Sequence, residues 1–258
     1  MEKNTVSFNI GDFKCIAIRD GDDWDRNVLL IQTGKQQVLI DTGVGTDMYS
    51  PPALLIDRLR MVDIIPSTID VVILSHADFD HIGGTMDENG NLAFPNARYV
   101  LPRKEWDFWS RKPERLQPSD AYTEEFRQMA QTISQTRMAQ LRDKLELIET
   151  EVDVVQGIHI IAAPGHTPGY TIISISSGDK KIIFIGDLIY DPKDIENPDW
   201  YSVFDFDPEQ VMVTRNRVFE QAAREETLLM ASHVPFPGLG YVSQNKKAWR
   251  WQAFEEKV

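Results

Sequence analysis

Residues 71–84 read VVILSHADFDHIGG. Val71 to Leu74 form a continuous apolar run, as a strand buried on both faces requires. Directly after it, His76, Asp78, Asp80 and His81 fall within six positions. Carboxylates crowded into so short a loop repel one another unless a cation neutralises them. Gly83 and Gly84 then allow a tight turn and close packing of the following helix. The stretch reads as one half of a metal-binding strand–loop–helix unit.

The same arrangement recurs along the chain. The run VLI at 38–40 ends in Asp41-Thr42-Gly43, and IIAAP at 160–164 ends in Gly165-His166. IIFI at 182–185 ends in Gly186-Asp187, and LLMA at 228–231 ends in Ser232-His233. Five times a buried strand is followed, directly or after one small residue, by a potential ligand. In α/β architectures the carboxyl ends of strands are where ligand and catalytic groups converge. One strand-end Asp or His is readily explained as a turn former or cap. Five together, using three of the chain's five histidines, point to a single metal site.

The remaining patterns place this site in an α/β chain. Short β-rich runs at 6–10, 15–18, 28–32 and 38–40 are separated by Gly11, Gly21 and Gly34. Residues 53–62 have helical spacing, with Leu55, Leu59 and Val62 on one face. Further strands are expected at 152–163, 170–176, 181–185 and 227–231, and a helix at 208–223 opening on Pro208. Residues 102–150 differ: a Pro-, Trp- and charge-rich segment precedes an amphipathic stretch, Ala121 to Leu147. Its apolar stripe is Met129, Ile133, Met138, Leu141 and Leu145. We read 102–150 as a helical insertion in one domain spanning 1–258. It would serve as a packed surface helix pair, a substrate lid or a homodimer surface, with Trp106 and Trp109 as core or interface anchors. Because it holds none of the ligand candidates, it is expected to stand apart from the chemistry.

Composition removes several function classes. A chain of 258 residues with 42% hydrophobic content can bury a sizeable core unaided. Its formal charge of -13 disfavours general affinity for nucleic acid or an anionic membrane. No apolar run approaches the ~18 residues of a membrane span, and the first residues lack a signal-peptide core. Cys15, the sole cysteine, excludes an intrachain disulfide and a multi-cysteine metal site, which suits a reducing cytoplasm. His159 lies inside a strand pattern and is expected to be structural or exposed.

The ordered set of motifs resembles the metallo-β-lactamase superfamily. His76, Asp80 and His81 match its His-x-His-x-Asp-His loop, and His166 in PGHTPG, Asp187 in IGD and His233 in SHVPFPGLG match its later motifs. The ending is similar to the branch of methyl parathion hydrolase and the acyl-homoserine-lactone lactonases. The resemblance implies a four-layer αβ/βα sandwich with two divalent metals at one edge. His76, Asp78 and His166 would hold the first, Asp80, His81 and His233 the second, with Asp187 bridging. Zinc, iron or manganese suits such ligands. A bridging hydroxide would attack a small ester, lactone or phosphoester, with Asp80 orienting it or shuttling its proton. Asp41 would hydrogen-bond the ligand loop or serve only as a turn residue. The alternatives are a non-haem di-iron redox protein and a non-catalytic metal-binding relative. The chain departs from the pattern twice, at Asp78, where a second loop histidine is usual, and at Tyr170, where GHTPGH becomes GHTPGY.

Overall fold

The computed structural model describes residues 4–22, 24–46, 54–111 and 123–255. Seven strands form a first sheet in chain order: β1 (Thr5–Ile10), β2 (Phe13–Arg19), β3 (Asn27–Gln32), β4 (Gln37–Ile40), β5 (Val71–Ile73), β6 (Arg98–Pro102) and β7 (Leu145–Ile148). Seven more form a second sheet, ordered in reverse from the last strand to the first. They are β8 (Val152–Val155), β9 (Ile158–Ala162), β10 (Thr171–Ser177), β11 (Lys180–Gly186), β12 (Leu228–Ala231), β13 (Leu239–Asn245) and β14 (Ala248–Ala253). Both sheets are mixed. β4 to β7 pair parallel, as do β11 and β12, and the other pairings are antiparallel.

The strand sequences explain the layering. Along β2, Cys15 and Ala17 point into the core between the sheets, while Ile16 and Ile18 face the helices on the other side. β11 repeats this, with Ile182 and Phe184 inward and Ile183 and Ile185 outward. Successive strand residues point to opposite faces, so a strand covered on both sides must be apolar at every position. That is why these runs lack polar alternation. Outside the first sheet lie α1 (Leu55–Met61), α2 (Phe79–Ile82), α3 (Arg103–Ser110) and α4 (Glu124–Leu141); outside the second lies α5 (Pro208–Glu225). The result is the four-layer αβ/βα sandwich. Pro208 occupies the first turn of α5, and Asp207 caps it by accepting the Gln210 N–H at 3.0 Å.

Two segments differ from the sequence expectation. The stretch read as helical to Leu147 stops at Leu141, and Leu145–Ile148 becomes β7, paired with β6. The described parts of segment 102–150 are thus the end of β6, α3, α4 and β7, whereas residues 112–122, including the Ala121 start of the helical reading, lie outside the described residues. The periodic apolar residues of the segment continue into β7 because a strand edge needs them as much as a helix face does. The unread C-terminal stretch forms the β13–β14 hairpin, in which Trp251 lies over Gly240; a Cβ on Gly240 would sit 2.3 Å from the indole. No helix among the described residues is long and apolar enough to cross a membrane.

Candidate metal centre

Parallel pairing brings the ligand candidates together. Asp41 follows β4 and His76 follows the adjacent parallel β5; Asp187 follows β11 and His233 follows the adjacent parallel β12. β9 runs in the same direction as β11, since both are antiparallel to β10, so His166 leaves the same edge. The two sheets are bonded to each other there. Thr171 donates through both its N–H and its hydroxyl to Ser75 O, at 3.1 and 2.9 Å, and the Asn27 N–H donates to Ser232 O at 2.8 Å. Gly83 and Gly84 let the ligand loop close on the strand-end loop of Asp41. A Cβ at either would come within 2.0 Å of a backbone oxygen, Val44 O or Thr42 O.

All seven sequence candidates meet in one buried cluster. His76, Asp78 and His166 form one trio of converging donor atoms, Asp80, His81 and His233 a second, and Asp187 lies between with His76 and His81. Asp78 precedes α2 but does not cap it. Its Oδ2 instead stands 3.3 Å from His166 Nε2 and 3.8 Å from His76 Nε2. Asp80 Oδ2 is 3.6 Å from His233 Nε2. Asp187 reaches both trios: Oδ2 is 3.6 Å from His166 Nε2 and 3.2 Å from His233 Nε2, and Oδ1 is 3.0 Å from His81 Nε2. His159 lies elsewhere, partly exposed, with its Nδ1 2.7 Å from Asp153 Oδ1.

Each histidine is turned by a partner on its other nitrogen. Nδ1 of His81 meets Asp41 Oδ2 at 2.8 Å, His166 meets Asp205 Oδ1 at 3.0 Å, and His233 meets the Asp25 carbonyl at 2.9 Å. His76 Nδ1 meets Ser75 Oγ at 2.9 Å, and that hydroxyl spends its proton on Asp41 Oδ2. Carboxylates and carbonyls accept only, so these contacts place the proton on Nδ1 and aim the Nε2 lone pair inward. Asp41 is therefore a bracing residue. It takes three donors, the Ser75 N–H, the Ser75 hydroxyl and His81, and holds them from a left-handed backbone at φ 61°.

These residues fit divalent cations. Nε2 of His76, His81 and His233 and Oδ1 of Asp187 are buried with no aligned hydrogen-bond partner, which is costly unless something else coordinates them. The charge balance points the same way. Burial opposes a proton on His81, but the carboxylates of Asp187, Asp41 and Asp80 outweigh it and hold the imidazole well above its usual range. Burial also works against the Asp187 anion, yet His81 and His233 hold its carboxyl well below the usual range. His76 is pushed down by burial, then by neighbouring His81. The cluster is built to keep anions and to accept positive charge.

Other residues complete the site. Tyr170, singled out in the sequence as a departure but given no role there, packs edge-on against His76 at 5.0 Å between ring centroids. Its hydroxyl donates to Ile185 O at 2.7 Å and accepts the Asp187 N–H at 2.6 Å, fixing the strand end that carries Asp187. Tyr190 donates to Asp187 Oδ2 at 3.0 Å and keeps its proton, because burial and then the Asp187 charge push it well above the usual phenol range. Its ring and that of Trp24 lie nearly parallel to His233, at 5.0 and 4.4 Å. Tyr190 and Trp24 escaped the sequence reading, and the position of Tyr190, three residues past Asp187, was the signal that could have found it.

A family model described as the metallo-beta-lactamase superfamily matches residues 21–233. The chain belongs to that superfamily. It is 24% identical over 224 residues to an N-acyl homoserine lactonase of Bacillus sp, covering 79% of each chain. It is 23% identical, over the same length and coverage, to N-acyl homoserine lactonase AiiA of Bacillus thuringiensis subsp. kurstaki. The solved structure of AidC, a dizinc quorum-quenching lactonase, superposes with a TM-score of 0.92 at 25% identity, over 99% of each chain. Hydrolase AbOPH shares the fold at a TM-score of 0.85 and 22% identity, over all of each chain. Within this superfamily the chain is a metal-dependent hydrolase.

Proposed function

We propose that this chain hydrolyses a small lactone or ester with two zinc ions. His76, Asp78 and His166 would hold one and Asp80, His81 and His233 the other, with Asp187 within reach of both. The observation that carries this is the convergence of seven buried side chains in three trios of ligand atoms, with Nε2 of His76, His81 and His233 and Oδ1 of Asp187 left without an aligned partner. Zinc is favoured over iron or manganese by the dizinc relative. A lactone is favoured over a phosphoester by the named activity of the lactonase relatives.

Two divalent cations bound there supply an acidified water as nucleophile and an electrostatic pull on the carbonyl oxygen. The chain's own residues do the rest. Asp80 faces the cluster as the proton acceptor that orients the water. Tyr190 holds a proton at its hydroxyl, beside Asp187 Oδ2, where it can be given to the oxygen of a substrate. Trp24 stacks on His233 and Phe204 lies against Tyr190, so two apolar rings border the cluster, suited to a substrate with a hydrocarbon arm.

The test combines elemental analysis of chelator-free protein with turnover of an N-acyl homoserine lactone, an aryl ester and a phosphotriester. About two zinc per chain and preference for the lactone are expected. One metal or none, or turnover of the phosphotriester alone, overturns the reading.

A further inference from the structure

Glu105, in the first turn of α3, is fully buried, although no ligand candidate lies on that helix. A buried carboxylate is costly unless donors satisfy it, and here three come from three segments. Oε1 accepts the Ala77 N–H at 3.0 Å and the Trp109 indole N–H at 2.8 Å; Oε2 accepts the Thr167 hydroxyl at 2.6 Å. Ala77 lies between His76 and Asp78, and Thr167 follows His166. The contact is close on the far side as well, since a Cβ on Gly169 would sit 2.2 Å from the Glu105 nitrogen. One carboxylate thus grips the backbone between two members of a single trio and the residue beside the third.

We infer that Glu105 is a positioning residue for one cation site only. By tying the β5 loop to the β9 loop it sets the separation of His76, Asp78 and His166, and leaves the Asp80, His81 and His233 site to other supports. This rests on the reading that the two trios each hold a cation. It also corrects the expectation that segment 102–150 stands apart from the chemistry.

The test is zinc uptake by the full chain after chelator stripping, followed by competition with a colorimetric zinc chelator, so that two stepwise affinities are resolved. His166→Ala and His233→Ala assign each step to a trio. Glu105→Ala is expected to weaken the step lost in His166→Ala by about 10- to 100-fold, the range typical of such supporting groups. The other step should stay within about threefold. Glu105→Gln should restore most of the loss, because its amide oxygen still accepts from Ala77 and Trp109 and its amide nitrogen can donate to Thr167 Oγ1. Thr167→Val, which removes one grip at nearly constant volume, should weaken the same step by less, and it stands in for Glu105→Ala if that variant does not fold. A merely structural glutamate would lower the melting temperature of the stripped protein and shift both steps together. Equal shifts in both steps, or none in either variant, overturn the inference. Fewer than two steps in the unaltered chain overturns instead the two-cation reading on which it rests.

Discussion

The two halves of the sandwich supply the site in opposite ways. The first sheet delivers His76, Asp78, Asp80 and His81 from one loop and the short helix α2. The second delivers His166, Asp187 and His233 one at a time, each after a different strand. In the first half, the ligands share one turn, which Gly83 and Gly84 let close on the Asp41 loop and one distant carboxylate, Asp41, braces. In the second, each ligand is aimed by a distant group: Asp205 for His166, the Tyr170 hydroxyl for Asp187, the Asp25 carbonyl for His233. The clustered half relies on one bracing carboxylate for a whole loop, whereas the dispersed half needs a separate brace for each ligand.

The largest expected effect falls on Asp187, which reaches both trios. Asp187→Ala should release both metals and reduce kcat/KM by more than about 100-fold, beyond the range for supporting groups, while His159→Ala stays within about twofold. Metal content and turnover of folded variants check this. Equal losses would mean that Asp187 is not the shared residue of the two halves.

The clustered half explains why so much was readable. Strand runs that are apolar at every position, and four potential ligands within six residues, are patterns of adjacent letters. The Asp41, His166, Asp187 and His233 positions could be seen because each interrupts such a run. The supporting contacts could not. Glu105 meets Ala77 across 28 positions and Thr167 across 62, and Asp205 meets His166 across 39. Nothing in a one-dimensional pattern ties those residues together. β7 was hidden for a related reason: Leu145 continues the helical stripe of Met138 and Leu141, and it fits a half-buried strand equally well.

A middle-sized effect is expected at Asp78. Its carboxylate faces His166 Nε2 and His76 Nε2, so Asp78→His should keep two metals and hold zinc several-fold more tightly, imidazole being the softer ligand. Chelator competition on both proteins measures it. Unchanged affinity would show that the clustered loop does not use this position as a ligand.

The smallest effect concerns the core that the halves share. Cys15 lies between the sheets, and burial pushes its thiol up to about 12. At pH 8 roughly one thiol in 10⁴ is then ionised, and thiolate is the reactive form. A disulfide reagent should therefore leave native protein unlabelled for hours and react at once in denaturant. Rapid labelling without denaturant would mean that the two halves part readily.

Asp41 carries a tension of its own. Its left-handed backbone costs an L-residue about 1 kcal/mol or more, a strain that glycine at this position would not have. Yet the carboxylate at this spot restrains Ser75 and His81 together, and glycine would release both. Three donors on a buried carboxylate, at about 1.5–3 kcal/mol each, outweigh that strain, so fold stability and ligand aim both favour aspartate at position 41.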